Sequence, residues 1–162
     1  MLLFCINRIA RQQQKLSQNN EKKLQYYFKE TCMKFLVCFD GSNTSKAAID
    51  LAINHASAFR ASLIIVNSMV KGTESEREQI QNMESLLSDI QKGCETKDIS
   101  CETHLLIRGL DAGEDLVAFA NEQQVDQVFI GVRRRSKMEK LVFGSTAQYV
   151  ILNANCPVVT IR

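Results

Sequence analysis

From residue 33 onward, short apolar runs alternate with longer segments in which apolar residues recur every three or four positions. Mainly apolar runs of four or five residues are typical of strands that a parallel sheet buries on both faces. The predicted strands are residues 35–39, 63–66, 103–107, 127–130 and 158–161. Pro157, the only proline of the chain, opens the last strand, where a missing N–H donor is tolerated.

Helices are predicted between these strands. Apolar positions with helical spacing occur at Ala48, Leu51, Ala52, His55, Ala58 and Phe59, and again at Ile80, Met83, Leu87, Ile90 and Cys94. A third helix is predicted around Leu116, Val117 and Ala120, preceded by Asp111 and Glu114 at capping-box spacing. A fourth begins at Gly144. This alternation predicts an α/β fold, an open five-stranded parallel sheet with four flanking helices.

The segment after the fourth strand has the pattern of an anion site. Gly131 is followed by a basic stretch, residues 133–137, and then by Gly144, Ser145 and Thr146 at the predicted helix start. The first N–H groups of a helix lack internal partners and lie at its positive dipole end, which favours phosphate. The two hydroxyl groups add further donors. The competing interpretations are an ordinary helix cap and a solvated basic loop.

Charge divides the chain at about residue 32. Residues 1–32 carry six basic and two acidic residues, a charge of +4, whereas residues 33–162 sum to −2. A mildly acidic body argues against a nucleic-acid-binding domain. We expect residues 1–32 to be a polar, basic N-terminal extension. It is either a tail, disordered or functional, or the result of an incorrectly assigned start, in which case Met33 is the natural first residue. Residues 33–162 form the folded domain.

The cysteine and histidine content restricts the chemistry. The six cysteines form no Cys-x-x-Cys pair, and the two histidines are far apart, so we expect no metal site and no disulfide framework. Reduced thiols are typical of a cytoplasmic protein. His55 falls on an apolar helix stripe, where a packing role is expected. No apolar run approaches the roughly 20 residues that span a bilayer, so no membrane association is expected.

Four segments together resemble the universal stress protein family. They are Asp40-Gly41-Ser42, residues 109–116 (GLDAGEDL), the Gly131 to Ser145 segment and residues 155–159 (NCPVV). The resemblance covers residues 33–162. It implies a Rossmann-like sheet of order 3-2-1-4-5, as in the adenine-nucleotide α-hydrolase-like folds, and a homodimer formed through the terminal strand Val158–Ile161.

The resemblance also implies a nucleotide site for ATP or AMP, with Mg²⁺ as a companion. ATP-binding members carry Gly-x-x-Gly, nine residues, then Gly-Ser or Gly-Thr. On this chain the pattern falls on Gly131, Arg134, Gly144 and Ser145, with Thr146 following. By the same resemblance Asp40 contacts the nucleoside, and Ser68 lines the adenine pocket with Phe39 alongside.

Arg134 departs from this pattern because it replaces the middle glycine. If the glycine has positive φ, an arginine there is strained by roughly 1 kcal/mol or more, and its side chain blocks the approach of phosphate. The opposite interpretation is that Arg134 and its basic neighbours grip phosphate through guanidinium and ammonium groups. The sequence leaves both open.

Two functions therefore compete. The first is a nucleotide-binding dimer in the stress response that acts by binding rather than turnover, with slow ATP hydrolysis as an added activity at most. The second is a dimeric scaffold without a small ligand. An enzyme is disfavoured because the sequence shows no Ser-His pair or metal cluster. The loop after the first strand also lacks the double glycine of ATP pyrophosphatases.

Overall fold

A computed structural model describes residues 33–69, 76–132 and 143–162 of the chain. The predictions for residues 1–32, for the basic stretch 133–137 and for Arg134 within it fall on residues outside these ranges. The strands are β1 (Lys34–Cys38), β2 (Ser62–Ser68), β3 (Cys101–Leu106), β4 (Gln127–Gly131) and β5 (Val158–Ile161). The helices are α1 (Asn43–Phe59), α2 (Arg77–Glu95), α3 (Ala112–Gln123) and α4 (Ser145–Asn153).

The strands form one parallel sheet of order β3-β2-β1-β4-β5, which confirms the predicted fold class. The central strand β1 pairs with β2 on one side and with β4 on the other, so that Leu36 lies opposite both Ile64 and Val128. The chain winds outward in opposite directions from β1 and β4. Their following loops therefore separate and leave a crevice at the carboxyl edge of the sheet.

Apolar side chains alternate between two cores, one on each face of the sheet. Phe35 and Val37 of β1 face the core that includes residues of α1 and α2, whereas Leu36 and Cys38 face the core beneath α3 and α4. Phe35, Leu36 and Val37 are completely buried. Burial on both faces explains why the central strands are continuous apolar runs in the sequence.

The structure corrects two local predictions. Phe59 was assigned to the apolar stripe of the first helix, but it is 60% exposed because it is the last residue of α1. Its ring still packs edge-to-face with the ring of Phe35, with 6.2 Å between the ring centres. Asp111 is the N-cap of α3 as predicted, yet its side chain makes no capping hydrogen bond. The capping-box spacing therefore located the helix start but not the predicted contact.

Within the described ranges, no helix is both long and apolar enough to cross a membrane.

Candidate functional site

A pocket of about 200 Å³ lies at the carboxyl edge of the sheet, where the topology places a crevice. Its walls come from the ends of β1, β2 and β4 and from the first turns of α1, α3 and α4. The described residues that line it are Cys38, Phe39, Asp40, Ser45, Val66, Asn67, Ser68, Ala112, Leu116, Ile130, Gly131, Gly144, Ser145, Thr146 and Ala147.

The turn from β1 to α1 forms one wall of this pocket. The backbone N–H of Ser42 donates to Asp40 Oδ1 at 3.0 Å, and Gly41 between them has φ of 79°, which favours glycine. Ser42 then caps α1, its Oγ accepting from the N–H of Ser45 at 3.2 Å. An aspartate that ends a strand can cap the helix that follows it. The N-cap is Ser42, and the exposed Asp40 side chain supports the turn instead.

The start of α4 forms the opposite wall and has a different character. Its N-cap is Gly144, and no side chain among the described residues caps it. The first helical bond runs from the N–H of Gln148 to the carbonyl of Gly144 at 2.9 Å. The N–H groups of Ser145, Thr146 and Ala147 therefore have no partner within the helix. Ser145 and Thr146 follow the N-cap, so the interpretation that they are ordinary capping residues is wrong.

Gly131 ends β4 between these two walls, where backbone approaches backbone. A Cβ atom on Gly131 would lie 2.7 Å from both the carbonyl carbon of Thr44 and the nitrogen of Ser45. No side chain fits in that space, because real Cβ contacts essentially never fall below 3.0 Å. Glycine at this position lets β4 pack against the first turn of α1.

The end of β2 supplies the remaining wall. The hydroxyl of Ser68 donates to Asp115 Oδ2 at 2.7 Å, and Asp115 is only 1% exposed although it is acidic. On the neighbouring position, Asn67 Nδ2 donates to the carbonyl oxygen of Phe39 at 2.7 Å. The two contacts fix the end of β2 to α3 and to the end of β1.

Cys38 is the buried thiol of the pocket. Burial, with smaller effects from the nearby Asp40 and Cys156, raises the pKa of Cys38 to about 12. The thiol is therefore neutral at physiological pH and is a poor nucleophile. Burial likewise raises the pKa of the Cys101 thiol, with a smaller contribution from its neighbour Cys94, so this thiol is a poor nucleophile as well.

The predicted packing role of His55 agrees with the structure, since its ring meets Phe129 edge-on at 5.3 Å. Among the described residues, no group of three or more His, Cys, Asp or Glu side chains is placed to hold a metal ion.

Seven of the predicted site residues line this one pocket: Phe39, Asp40, Ser68, Gly131, Gly144, Ser145 and Thr146. Their roles in binding remain predictions, and Arg134 lies outside the described residues. Sequence reasoning missed Ser45 and Asp115. Ser45 is buried in the pocket wall, where its Oγ accepts weakly from the N–H of Asp40 at 3.4 Å. Asp115 lies in the GLDAGEDL segment, but its hydrogen-bond partner Ser68 is 47 residues away, so no local sequence pattern marks the contact.

Comparison with known proteins gives a consistent result. The universal stress protein family model matches residues 32–162. A universal stress protein of Archaeoglobus fulgidus is 30% identical, with a TM-score of 0.72 over 84% of this chain and 98% of that one. A structure described as that organism's universal stress protein in complex with dAMP is also 30% identical, with a TM-score of 0.68 over 80% and 98% of the two chains.

A universal stress protein of Methanocaldococcus jannaschii is 29% identical over 140 residues, which are 80% of this chain and 81% of the relative. The family model covers far more than half of the chain, and the sheet order and the pocket at its carboxyl edge agree with it. The chain belongs to the universal stress protein family.

Proposed function

We propose that this protein binds an adenine nucleotide, ATP or AMP, in the pocket at the carboxyl edge of the sheet, and acts in the stress response through binding rather than turnover. The observation that carries the proposal is the uncapped start of α4. Three N–H groups without helical partners belong to residues that line a cavity, whereas the neighbouring start of α1 is capped by its own Ser42. Phosphate satisfies such groups and interacts favourably with the helix dipole.

The arrangement of strands suits a nucleotide. Phosphates at Ser145 to Ala147 lie beside β4, the ribose crosses the end of β1 at Phe39 and Asp40, and the base reaches Ser68 on β2. From β4 to β2 is two strand spacings, about 10 Å. The Archaeoglobus fulgidus relative described in complex with dAMP supports an adenine nucleotide as the ligand.

Binding without turnover agrees with the residues in the pocket. The described lining contains no histidine, lysine or arginine, and its buried thiol Cys38 is neutral. Asp40 is the one carboxylate among those residues, and its Oδ1 accepts a hydrogen bond from the backbone of its own turn. Mg²⁺ is expected only as the companion of ATP.

The helix start is tested by Ser145→Pro with Ser145→Ala as its matched control. Proline is accepted at the first helical position, and Gly144 before it has φ of −64° and ψ of 152°, a conformation that precedes proline readily. Both variants lose the hydroxyl, but only Ser145→Pro loses the N–H. By titration calorimetry on the full chain, we expect the proline variant to bind AMP roughly tenfold more weakly than the alanine variant. Equal affinities would show that the phosphate does not use this helix start.

Arg134 is tested in the same assay with ATP and AMP. If Arg134 grips phosphate, Arg134→Gly loses affinity while Arg134→Lys keeps part of it. If Arg134 blocks the pocket, the parent protein does not bind and Arg134→Gly does. Absence of binding by the parent and by every variant would refute a nucleotide function and favour the second candidate, a scaffold that acts through protein contacts.

We also propose a homodimer through β5, which is an edge strand of the sheet. An unpaired edge strand invites pairing with another strand. A charge at Val159 is a poor test because Val159 packs on the protein's own core, whereas Thr160 is exposed. We therefore expect Thr160→Asp to give monomers by light scattering, with Ser100→Asp as an exposed control that leaves the dimer intact. A dimeric Thr160→Asp protein would contradict this interface.

The cytoplasm is the proposed location. All four cysteines in the described ranges are free thiols, which is typical of a reducing compartment.

A further inference from the structure

We infer that the outer edge of β3 binds an extended, basic peptide segment of a partner protein, which adds to the five-stranded sheet as a further strand. The β3 edge consists of the outward backbone groups of Cys101, Thr103 and Leu105 and of the flank of α2 beside them. None of these residues lines the pocket at the carboxyl edge of the sheet, and the inference does not depend on the proposed nucleotide function.

The backbone of β3 shows which of its polar groups face outward. In a parallel pair, the hydrogen bonds to the neighbouring strand come from alternate residues. The carbonyl oxygens of Ser100 and Leu106 accept hydrogen bonds from the β2 side, at 2.8 and 2.9 Å. The even-numbered residues of β3 therefore bond to β2. The outward-facing residues are Cys101, Thr103 and Leu105.

These outward groups are available for another strand. β3 lies at the end of the sheet opposite β5, and among the described residues no group hydrogen-bonds to the N–H or C=O groups of the three outward residues. A row of unpaired backbone groups is a template to which an extended peptide can add. The strand contains no proline or lysine, two residues that commonly protect an edge from such pairing.

One flank of α2 forms a wall along the β3 edge. The hydroxyl of Thr103 donates to Gln91 Oε1 at 3.2 Å, which places Gln91 beside the middle of the strand. Burial mainly, and the charge of Glu95 to a smaller extent, raises the pKa of Cys101, so Glu95 lies near the start of the strand. Glu84 is two helical turns before Gln91 and shares its flank. The wall is therefore polar and carries two carboxylates.

The charge of the β3 edge determines which partner fits. Glu102 of β3 has a side chain that is 70% exposed, and Glu84 and Glu95 are exposed on the flank of α2. Residues 76–102 carry seven acidic and three basic residues, a charge of −4. Such a surface attracts a segment with lysine or arginine side chains and repels an acidic one. The partner segment is therefore expected to be basic.

The same charge disfavours a second copy of this chain at β3. Pairing of two β3 strands would bring two acidic edges together, and like charges on adjoining strands are destabilising. The opposite edge strand, β5, has the sequence VVTI and carries no charged residue. The two edges of the sheet therefore suit different partners, a second copy at β5 and a basic strand at β3.

The probe for the β3 edge is a fluorescein-labelled heptapeptide of alternating lysine and valine with blocked termini. The full chain is titrated into it, and binding is followed by fluorescence anisotropy. We expect saturable binding that weakens as the salt concentration rises, because salt screens opposite charges. A matched peptide of alternating glutamate and valine is expected to bind at least about tenfold more weakly.

Thr103→Pro, with Thr103→Ala as its matched control, tests the backbone contact. Both variants lose the hydroxyl, but only proline removes an outward N–H, and β2 does not use that group, so the fold is expected to tolerate the change. Thermal melting verifies folding. We expect Thr103→Pro to bind the lysine–valine peptide about tenfold more weakly than Thr103→Ala.

Glu102→Gln tests the charge without altering the backbone, so it decides the question even where the proline variant does not fold. We expect it to bind the lysine–valine peptide about threefold more weakly than the parent protein. Glu78→Gln is the matched control, an exposed glutamate in the first turn of α2, and is expected to keep the parent affinity.

Four results would overturn the inference. They are no binding of the lysine–valine peptide, equal binding of the glutamate–valine peptide, equal affinities of the two folded Thr103 variants, and parent affinity in Glu102→Gln. A lower mass of Thr103→Pro than of Thr103→Ala by light scattering would show that a second copy occupies the β3 edge, which also contradicts it. These titrations contain no nucleotide, so their failure leaves the proposed nucleotide function unaffected.

Discussion

Gly131→Ala tests how closely β4 packs against α1. The added Cβ would lie 2.7 Å from the Thr44 carbonyl carbon and the Ser45 nitrogen, and 2.9 Å from the Thr44 oxygen. Ordinary van der Waals contact begins at 3.4 Å, so the two backbones must separate by about 0.7 Å. All three atoms are backbone, and Ser42 caps the helix they belong to. No flexible side chain can absorb the displacement.

Overpacking of this kind destabilises a folded protein by about 1–3 kcal/mol. Replacing glycine also lowers the conformational entropy of the unfolded chain, which stabilises the protein by about 0.4–1 kcal/mol and offsets part of that cost. We expect a net loss of about 1–2 kcal/mol in the free energy of unfolding. Urea denaturation followed by circular dichroism measures it as a lower midpoint with an unchanged slope.

Gly93→Ala is the matched control. Gly93 lies within α2, and a Cβ atom there meets nothing within 4 Å. The same substitution is therefore expected to stabilise the protein by about 0.5–1 kcal/mol through helix propensity. A Gly131→Ala protein as stable as the parent, alongside the expected gain from Gly93→Ala, would refute the close packing described for Gly131.

Two further predictions concern the pocket and the helix pair beside it. Because burial raises the pKa of Cys38 from 9.0 to about 12, the folded protein holds a proton that the unfolded chain loses above pH 9. The free energy of unfolding should therefore decrease between pH 9 and 12, and this thiol contributes at most about 1.4 kcal/mol per pH unit to the decrease. Denaturation midpoints measured across that range should fall less steeply in Cys38→Ala than in the parent protein. An equally steep fall in Cys38→Ala would count against this assignment. Gly113→Ala should destabilise the packing of α3 against α4, because the added Cβ atom would lie 2.7 Å from the Cβ atom of Tyr149. Adding Tyr149→Ala should not restore stability, because alanine keeps the Cβ atom at position 149. Thermal melting of the single and double variants measures this effect, and full rescue would mean that the aromatic ring causes the clash.

The elements of the fold were predictable because their signal is local. Whether a segment is a strand or a helix follows from the spacing of its apolar residues, and the completely buried Phe35 to Val37 run shows this signal at its strongest. The strand order followed from the family resemblance, and the position of the pocket from that order and the rule for parallel sheets. Ser145 and Thr146 could be assigned to the pocket from their place after β4.

Tertiary structure decided which partner each polar group takes. Several hydroxyl and carboxyl groups near a helix start can cap it, and only the backbone geometry shows that Ser42 caps α1 while Asp40 supports the turn before it. Ser68 and Asp115 are 47 residues apart, so their contact has no counterpart in local spacing. Gly131 was predicted from a phosphate-loop pattern, whereas the structure also gives it a packing role against Ser45. The amino-acid sequence determines the apolar pattern along the chain, but hydrogen-bond partners and close backbone contacts depend on distances that exist only once the sheet has formed.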